Sequence, residues 1–357
     1  MKILITGVCG FVGSRLALAL RNRFENVTVF GADNLSRPGS ELNRARLRGA
    51  GIKVFHGDLR MASDMDGLPE AADWVIDAAA NPSVLAGVDG KSSTRQVVEH
   101  NLWSVINTLE YCRRARAGII VLSSSRVYSI PALASLPVVP RDNAFQLDVS
   151  RPLACGVSVN GIAEQFSVTP PVSIYGATKL AAETMALEYG ATFGFPVYVN
   201  RCGVLAGAGQ FGTAEQGIFS YWIHAHARRR PLRYVGFGGK GWQVRDAFHP
   251  EDLAALVAAQ IRCASAASGT IINAGGGAEN SMSLAQLTAW CNARFGVLAP
   301  EPDHRPRPFD IPWVIMDSSA AHARFGWKPE RSMHSILEEI AAHAAENPDW
   351  LELSEAT

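Results

Sequence analysis

An α/β fold, a doubly wound parallel sheet carrying a smaller C-terminal lobe, is predicted by three features of this chain. Apolar β-branched runs alternate with helical patterns through the first two hundred residues, the rhythm of parallel strands joined by crossover helices. A glycine turn, Gly7-Val8-Cys9-Gly10-Phe11-Val12-Gly13, joins the first run to the first helical pattern. After Arg201 the rhythm loosens into turns and helices. That suits a lobe closing over the C-terminal strand ends, where open α/β sheets bind ligands.

Ile3–Thr6 reads as the first strand and Phe11–Arg23 as the first helix. Between them Gly7 allows a tight turn, Gly10 lets a pyrophosphate approach the backbone, and Gly13 lets the helix pack close to the strand. The helix N-terminus offers free N–H groups to phosphate. Val27–Ala32 is the second strand, ending in Asp33-Asn34, and Ile52–His56 the third, followed by Gly57-Asp58-Leu59. Trp74–Ala78 runs into Ala79-Ala80-Asn81-Pro82, and a long helical pattern spans Thr94 to Arg116. The strand Ile119–Ser123, a helix from Ile174 to Phe193 and the strand Val197–Arg201 complete the alternation. Ser129–Val172 is rich in Pro, Ser and Val without a period, and reads as a long functional or partly disordered loop.

Beyond Arg201 come the irregular Gly203–Gly217, a helix over Phe219–Arg230 and a short strand at Arg233–Val235. The helix Pro250–Ala264 and strand Thr270–Asn273 are expected to rejoin the main sheet. Ser283 is an N-cap for Leu284–Phe295, with Gly296 as the stop. Helices over Ser319–Phe325 and Ser332–Asn347 finish the chain. The predicted division gives residues 1–202 with 248–278 to a dinucleotide domain, and 203–247 with 279–357 to a substrate-binding lobe.

At 357 residues the chain can bury a large core, and 33 basic residues balance 33 acidic ones. No global field then favours nucleic acid or an anionic membrane, so neither is an expected partner. Arg228-Arg229-Arg230 reads as a solvated helix end. No apolar run approaches the roughly 20 residues of a membrane span, and Met1–Thr6 is already strand rather than signal peptide. Six scattered cysteines without CxxC spacing read as reduced core residues of a cytoplasmic protein. His224 and His226 point apart on a helix, so no metal is expected. Assembly into a homo-oligomer is left open.

Tyr175-Gly176-Ala177-Thr178-Lys179 carries the clearest chemistry. Positions i and i+4 share a helix face, which sets an ammonium beside a phenol. Free tyrosine, with a pKa of about 10, is ionised in roughly one molecule in a thousand at neutral pH; a cation that brings it to about 7 supplies roughly 4 kcal/mol and makes a working base. Seven tyrosines and six lysines give on the order of 0.1 such pairs by chance; the plain alternative is an exposed helix face. Ser123-Ser124-Ser125 ends the preceding strand, followed by Arg126-Val127-Tyr128. A hydroxyl there can bond a substrate oxygen and the tyrosine, although serine clusters also serve turns.

On these motifs the chain resembles, over nearly its whole length, the extended short-chain dehydrogenase/reductase superfamily, the NAD-dependent nucleotide-sugar epimerases and dehydratases. The resemblance implies a Rossmann fold and bound NAD. It places Gly7, Gly10, Phe11, Val12 and Gly13 at the pyrophosphate, Asp33 and Asn34 at the adenosine ribose, and Asp58 and Leu59 at the adenine. Ala78, Ala79 and Ala80 lie beside the pyrophosphate and nicotinamide. A carboxylate at Asp33 accepts from a ribose 2′-hydroxyl and repels a 2′-phosphate, favouring NAD over NADP, while the nearby Arg37 blurs that preference. Asn101 matches a structural asparagine. Ser124, with Ser125 as fallback, Tyr175 and Lys179 match the catalytic residues, and the last two also contact the cofactor.

The later motifs look most like those of the CDP-paratose (tyvelose) 2-epimerases: Ala208-Gly209-Gln210-Phe211-Gly212, Glu215-Gln216-Gly217, Gly241-Trp242-Gln243-Val244-Arg245-Asp246 before His249-Pro250-Glu251-Asp252, and Arg307-x-x-Asp310 with Asp317. They imply substrate contacts from Ser124, Ser125, Gln210, Gln216, Arg245 and Arg307. The two arginines would grip a nucleotide diphosphate, each preceding an acid, Asp246 and Asp310, able to orient its guanidinium. The chain departs from the pattern where Ser129 replaces the glycine after Tyr128 and Asp77 replaces a histidine. It lacks the Asp-Glu pair of 4,6-dehydratases. The implied activity is epimerisation of a nucleotide-diphosphate sugar through a transient keto-sugar. A 4-epimerase, an NAD-dependent reductase and a non-catalytic NAD-binding regulator are the alternatives.

Overall fold

Parallel pairing from one edge to the other builds the seven-stranded sheet at the centre of the computed structural model, which describes residues 1–69, 72–88, 90, 93–264 and 269–355. Its strands are β1 (Lys2–Thr6), β2 (Thr28–Asp33), β3 (Lys53–His56), β4 (Trp74–Asp77), β5 (Gly118–Ser124), β6 (Val197–Cys202) and β7 (Thr270–Ala274). They lie in the order β7-β6-β5-β4-β1-β2-β3. The order reverses between β1 and β4, and a crevice opens at the C-terminal ends of those strands.

Side chains alternate across the sheet, so both faces of the apolar runs are buried. On one face Ile3 and Ile5 pack with Leu16 and Leu20 of helix Phe11–Arg23 and Val257 and Ile261 of helix Pro250–Arg262. On the other, Leu4, Val75 and Val121 meet Leu109 and Ala182. The Thr94–Arg116 pattern is not one continuous α-helix. A π-turn at Glu99–Trp103 interrupts it and carries Asn101 inward, where its amide exchanges hydrogen bonds with the Asn81 main chain at 2.7 and 3.0 Å.

Ser129–Val172, expected as a loop, contains the short helix Ile130–Ala134 and two hairpins, Val138–Arg141 with Ala144–Leu147 and Val157–Ser158 with Gly161–Ile162. Its partners are distant in sequence: Ile162 and Phe166 share a core with Trp313, Ile315 and Met316, so no local period is needed. The Asp142-Asn143 turn, with φ of 51° and 58°, is the one local cue, because such turns require φ > 0 at both central residues.

The lobe is a small sheet of Val204–Leu205, Val244–Phe248, Ser281–Ser283 and Trp313–Val314, packed by helices Ile218–Ala227, Leu284–Phe295 and Met333–Glu346 through Trp222, Leu287, Ile336 and Ile340. Ser283 and Gln286 form a reciprocal capping box. Residues Ser319–Trp327, expected in the lobe, pack instead on the main sheet: Ala321 and Trp327 fill its core, and Phe325 meets Tyr198 edge-on at 5.7 Å. Arg228 and Arg230 are not merely solvated. Arg228 donates to the Pro348 and Ala344 carbonyls and Arg230 pairs with Glu352, which ties down the C-terminal helix Trp350–Glu355. Four cysteines are buried and free, whereas Cys155 and Cys263 are exposed rather than in the core. Among the described residues, no helix is long and apolar enough to cross a membrane.

Candidate active site

The strand ends, the glycine turn and the lobe enclose one cleft of about 1520 Å³. Typical sites for one small ligand are about 300–1,000 Å³, so there is room for two. At its floor Gly7 has φ +61°, and a Cβ there would lie 2.8 Å from the Ala79 Cα; one on Gly13 would lie 2.2 Å from the Gly7 carbonyl oxygen. Side chains are thus excluded on both sides of the turn. Helix Phe11–Arg23 begins at Gly10 with no side-chain cap, so its first N–H groups are available to an oxyanion. Phe11 and Val12 line the cleft beside it.

Asp33, at the end of β2, accepts from the N–H groups of Cys9 and Leu35, both at 2.8 Å. Burial raises its carboxyl above the ordinary range, opposed by those bonds. Asn34 donates to Asp58 at 3.4 Å, and Asp58 is held down to about 2 mainly by its Arg60 hydrogen bonds. Leu59 and Ala80 line the same wall. The N–H groups of Ala78 and Ala79 donate to Thr6 Oγ1 at 3.1 and 3.2 Å, pinning that stretch over the glycine turn. Arg37 lines the same cleft and donates to the Phe211 carbonyl at 2.8 Å and to Gln216 Oε1 at 3.4 Å. The cradle without side chains, the uncapped helix and the strand-end carboxylate fit a dinucleotide.

Helix Ser173–Phe193 buries Tyr175 and Lys179 on one face, at 6% and 3% exposure. Lys179 Nζ donates to the Leu122 carbonyl of β5 at 3.0 Å. The helix sits this close because Gly176 abuts the main chain of Arg126, where a Cβ would come within 2.3 Å of the carbonyl oxygen. The three serines divide their work. Ser123 donates to the Glu183 carboxylate, while Ser124 Oγ accepts from the Arg126 N–H at 3.1 Å, which leaves its own proton for another acceptor. Ser124 and Ser125 line the cleft with Tyr175 and Lys179.

Beneath them lies an ion pair that sequence reasoning missed. Glu183, one turn after Lys179, meets Arg201 of β6 at 2.8 Å, the two side chains being 3% and 6% exposed. Arg201 also lies over the Tyr128 ring at 5.3 Å. Tyr128 donates to Asn273 at 2.7 Å and burial pushes its phenol up to about 12. Its role is structural. Asp77 is fully buried, accepting from Thr6 Oγ1 at 2.8 Å through one oxygen, while the other has no hydrogen-bond partner. Burial raises its carboxyl and the charge on Lys179 opposes the rise.

On the lobe side Arg245 and Arg307 both line the cleft. Arg245 donates to the Val244 and Ile311 carbonyls at 2.7 and 2.9 Å. Asp246 does not orient it as expected. Successive strand residues point to opposite faces, so Asp246 is buried away from the cleft, accepts from Gly277 N at 3.1 Å and is pushed by burial up to about 7. Asp310 is the carboxylate that most favours charged Arg245; it also accepts from Gln243 at 3.2 Å. Gln210 lines the cleft; its Nε2 donates to the Leu205 carbonyl at 2.7 Å, while its Oε1 has no hydrogen-bond partner. Arg126 was overlooked as a site residue, yet it too lines the cleft. Its place directly after the strand-end serines was the available cue. His224 and His226 face different partners, His343 and Asn292, and no cluster among the described residues could hold a metal ion.

A family model described as the NAD dependent epimerase/dehydratase family matches residues 3–275. The chain is 29% identical over 296 residues to a CDP-paratose 2-epimerase of Salmonella typhi, covering 80% of this chain and 82% of that one. It is 26% identical over 353 residues to a UDP-glucuronate 4-epimerase of Thermodesulfobacterium geofontis, covering 96% of each. The structure of a Bacillus cereus UDP-glucuronic acid 4-epimerase, in complex with UDP-glucuronic acid and NAD, superposes with a TM-score of 0.77 at 23% identity, covering 97% of this chain and 99% of that one. Matched from the first strand through the last strand of the central sheet, this chain belongs to the NAD dependent epimerase/dehydratase family.

Proposed function

We propose that this protein is an NAD-dependent nucleotide-sugar epimerase of the CDP-paratose 2-epimerase kind, working in the cytoplasm. The observation that carries the proposal is convergence: the glycine turn, Ser124, Tyr175, Lys179, Arg245 and Arg307, spread over three hundred residues, line one cleft. NAD, when bound, supplies a hydride acceptor for the sugar carbon and a donor for its return. Tyr175 takes the proton from the sugar hydroxyl as the carbonyl forms and gives it back at the end. Lys179, buried and fixed on Leu122, sets a positive charge beside the phenolate that develops. The Ser124 hydroxyl donates to the substrate oxygen. Asp33 receives the adenosine ribose. Inversion requires the flat ketone to turn its other face to the cofactor while the nucleotide stays anchored, and Arg245 and Arg307 are the anchor.

Arg245→Ala is expected to weaken binding of CDP, UDP or dTDP by about 10- to 100-fold, because a charge-assisted bond to phosphate contributes roughly 1.5–3 kcal/mol. NAD affinity and melting temperature should change little. Isothermal titration of both Arg245→Ala and Arg307→Ala checks this. Wild-type affinity in both variants would place the anchor elsewhere and remove the support for a nucleotide-sugar substrate.

A further inference from the structure

We propose that Arg126 is a substrate-binding residue that holds an anionic oxygen of the sugar nucleotide beside the carbon on which Tyr175 acts. The inference rests on the nucleotide-sugar function proposed above and adds a third cation to its anchor. The main chain of Arg126 is wedged between the two catalytic elements. Its N–H donates to Ser124 Oγ at 3.1 Å, and its carbonyl fills the space where Gly176, next to Tyr175, lacks a Cβ. The side chain therefore starts beside the reacting centre, not out among the lobe loops.

Phe309 O accepts one guanidinium N–H at 3.2 Å, which leaves most of the five-donor fork for a ligand in the cleft it lines. Burial, together with the positive charges of Arg245 and Arg307, pushes this guanidinium down to about 9, while Asp310 and Tyr175 favour its charge. Three arginines close enough to perturb one another, with Asp310 as the carboxylate offsetting them, form a set that an anionic ligand stabilises. Arginine stays charged at neutral pH and is a poor proton donor, so its work here is to bind an oxyanion rather than to catalyse proton transfer.

Two anions reach that place. A β-phosphate does so if the inverted carbon is C2, which neighbours the anomeric carbon. A carboxylate on C5 does so if the inverted carbon is C4. In both cases an oxyanion sits on the atom next to the reacting one, and its fixed position keeps the sugar in reach while the ring turns over.

The test is Arg126→Gln titrated with UMP, UDP, CDP, UDP-glucose and UDP-glucuronate, beside the wild-type protein. If the anion is the β-phosphate, UDP and CDP lose about 10- to 100-fold in affinity while UMP is unchanged. If it is a carboxylate, UDP holds and UDP-glucuronate loses that factor while UDP-glucose does not. Either pattern supports the proposal and identifies the anion. Arg126→Met keeps the packing of the stem and carries the same expectations should the glutamine variant not fold. Affinities equal to wild type for all five ligands overturn the proposal and leave Arg126 as a strut to Phe309. Failure of the wild-type protein to bind any nucleotide diphosphate would instead bring down the function on which the proposal rests.

Discussion

Tyr175→Phe is expected to lower turnover of the nucleotide-sugar substrate by about 10²–10⁴-fold, the range typical of a lost general acid–base group. The ring is 6% exposed and packs at the start of helix Ser173–Phe193, and phenylalanine preserves that packing while removing the proton acceptor. The glycine turn and Asp33 lie on other elements, so NAD should still bind the variant. Steady-state kinetics at saturating substrate, with fluorescence titration of NAD, separate the two effects. Near-normal turnover in this variant would mean that the proton goes to another group.

Breaking the ion pair between helix Ser173–Phe193 and β6 should have the largest effect on folding. Glu183→Ala leaves Arg201, 6% exposed, as an uncompensated charge in the core, at a cost of about 3–5 kcal/mol. The exposed pair Arg113–Glu110, at the same 2.8 Å, should contribute at most about 1 kcal/mol. Urea denaturation monitored by tryptophan fluorescence would compare the two. Removing both charges, as in Glu183→Leu with Arg201→Met, should recover most of the loss, because what destabilises is the unpaired charge. Equal small losses at both pairs would show that the interior around Glu183 admits water.

What the sequence made legible is the short-range chemistry. The glycine turn, the i, i+4 pair Tyr175 and Lys179 and the carboxylate ending β2 each lie within a dozen residues, and each sits where strand and helix periods put it. The Ser283 N-cap was readable for the same reason. Interactions between distant segments were not. Glu183 and Arg201 look like ordinary surface charges until β6 is laid under helix Ser173–Phe193. The two hairpins in Ser129–Val172 owe their order to Trp313 and Ile315, more than a hundred and forty residues on. Asp246 was misjudged through adjacency. A neighbour in a strand is a neighbour on the wrong face, and the acid supporting Arg245 comes from Asp310 in another segment. Arg126 follows the strand-end serines directly, but only the folded chain shows its main chain wedged between Ser124 and Gly176 and its side chain at the cleft.

The central claim is that a hydride leaves one sugar carbon and returns to the same carbon with inversion. It is tested most directly by incubating the NAD-loaded protein, in ordinary water, with UDP-, CDP- and dTDP-sugars deuterated at every ring carbon, followed by mass spectrometry and NMR of the products. The account predicts an epimer that retains every ring deuterium, with no accumulation of NADH. An epimer that has exchanged deuterium for solvent hydrogen, or a keto-sugar formed with one equivalent of NADH, would contradict it.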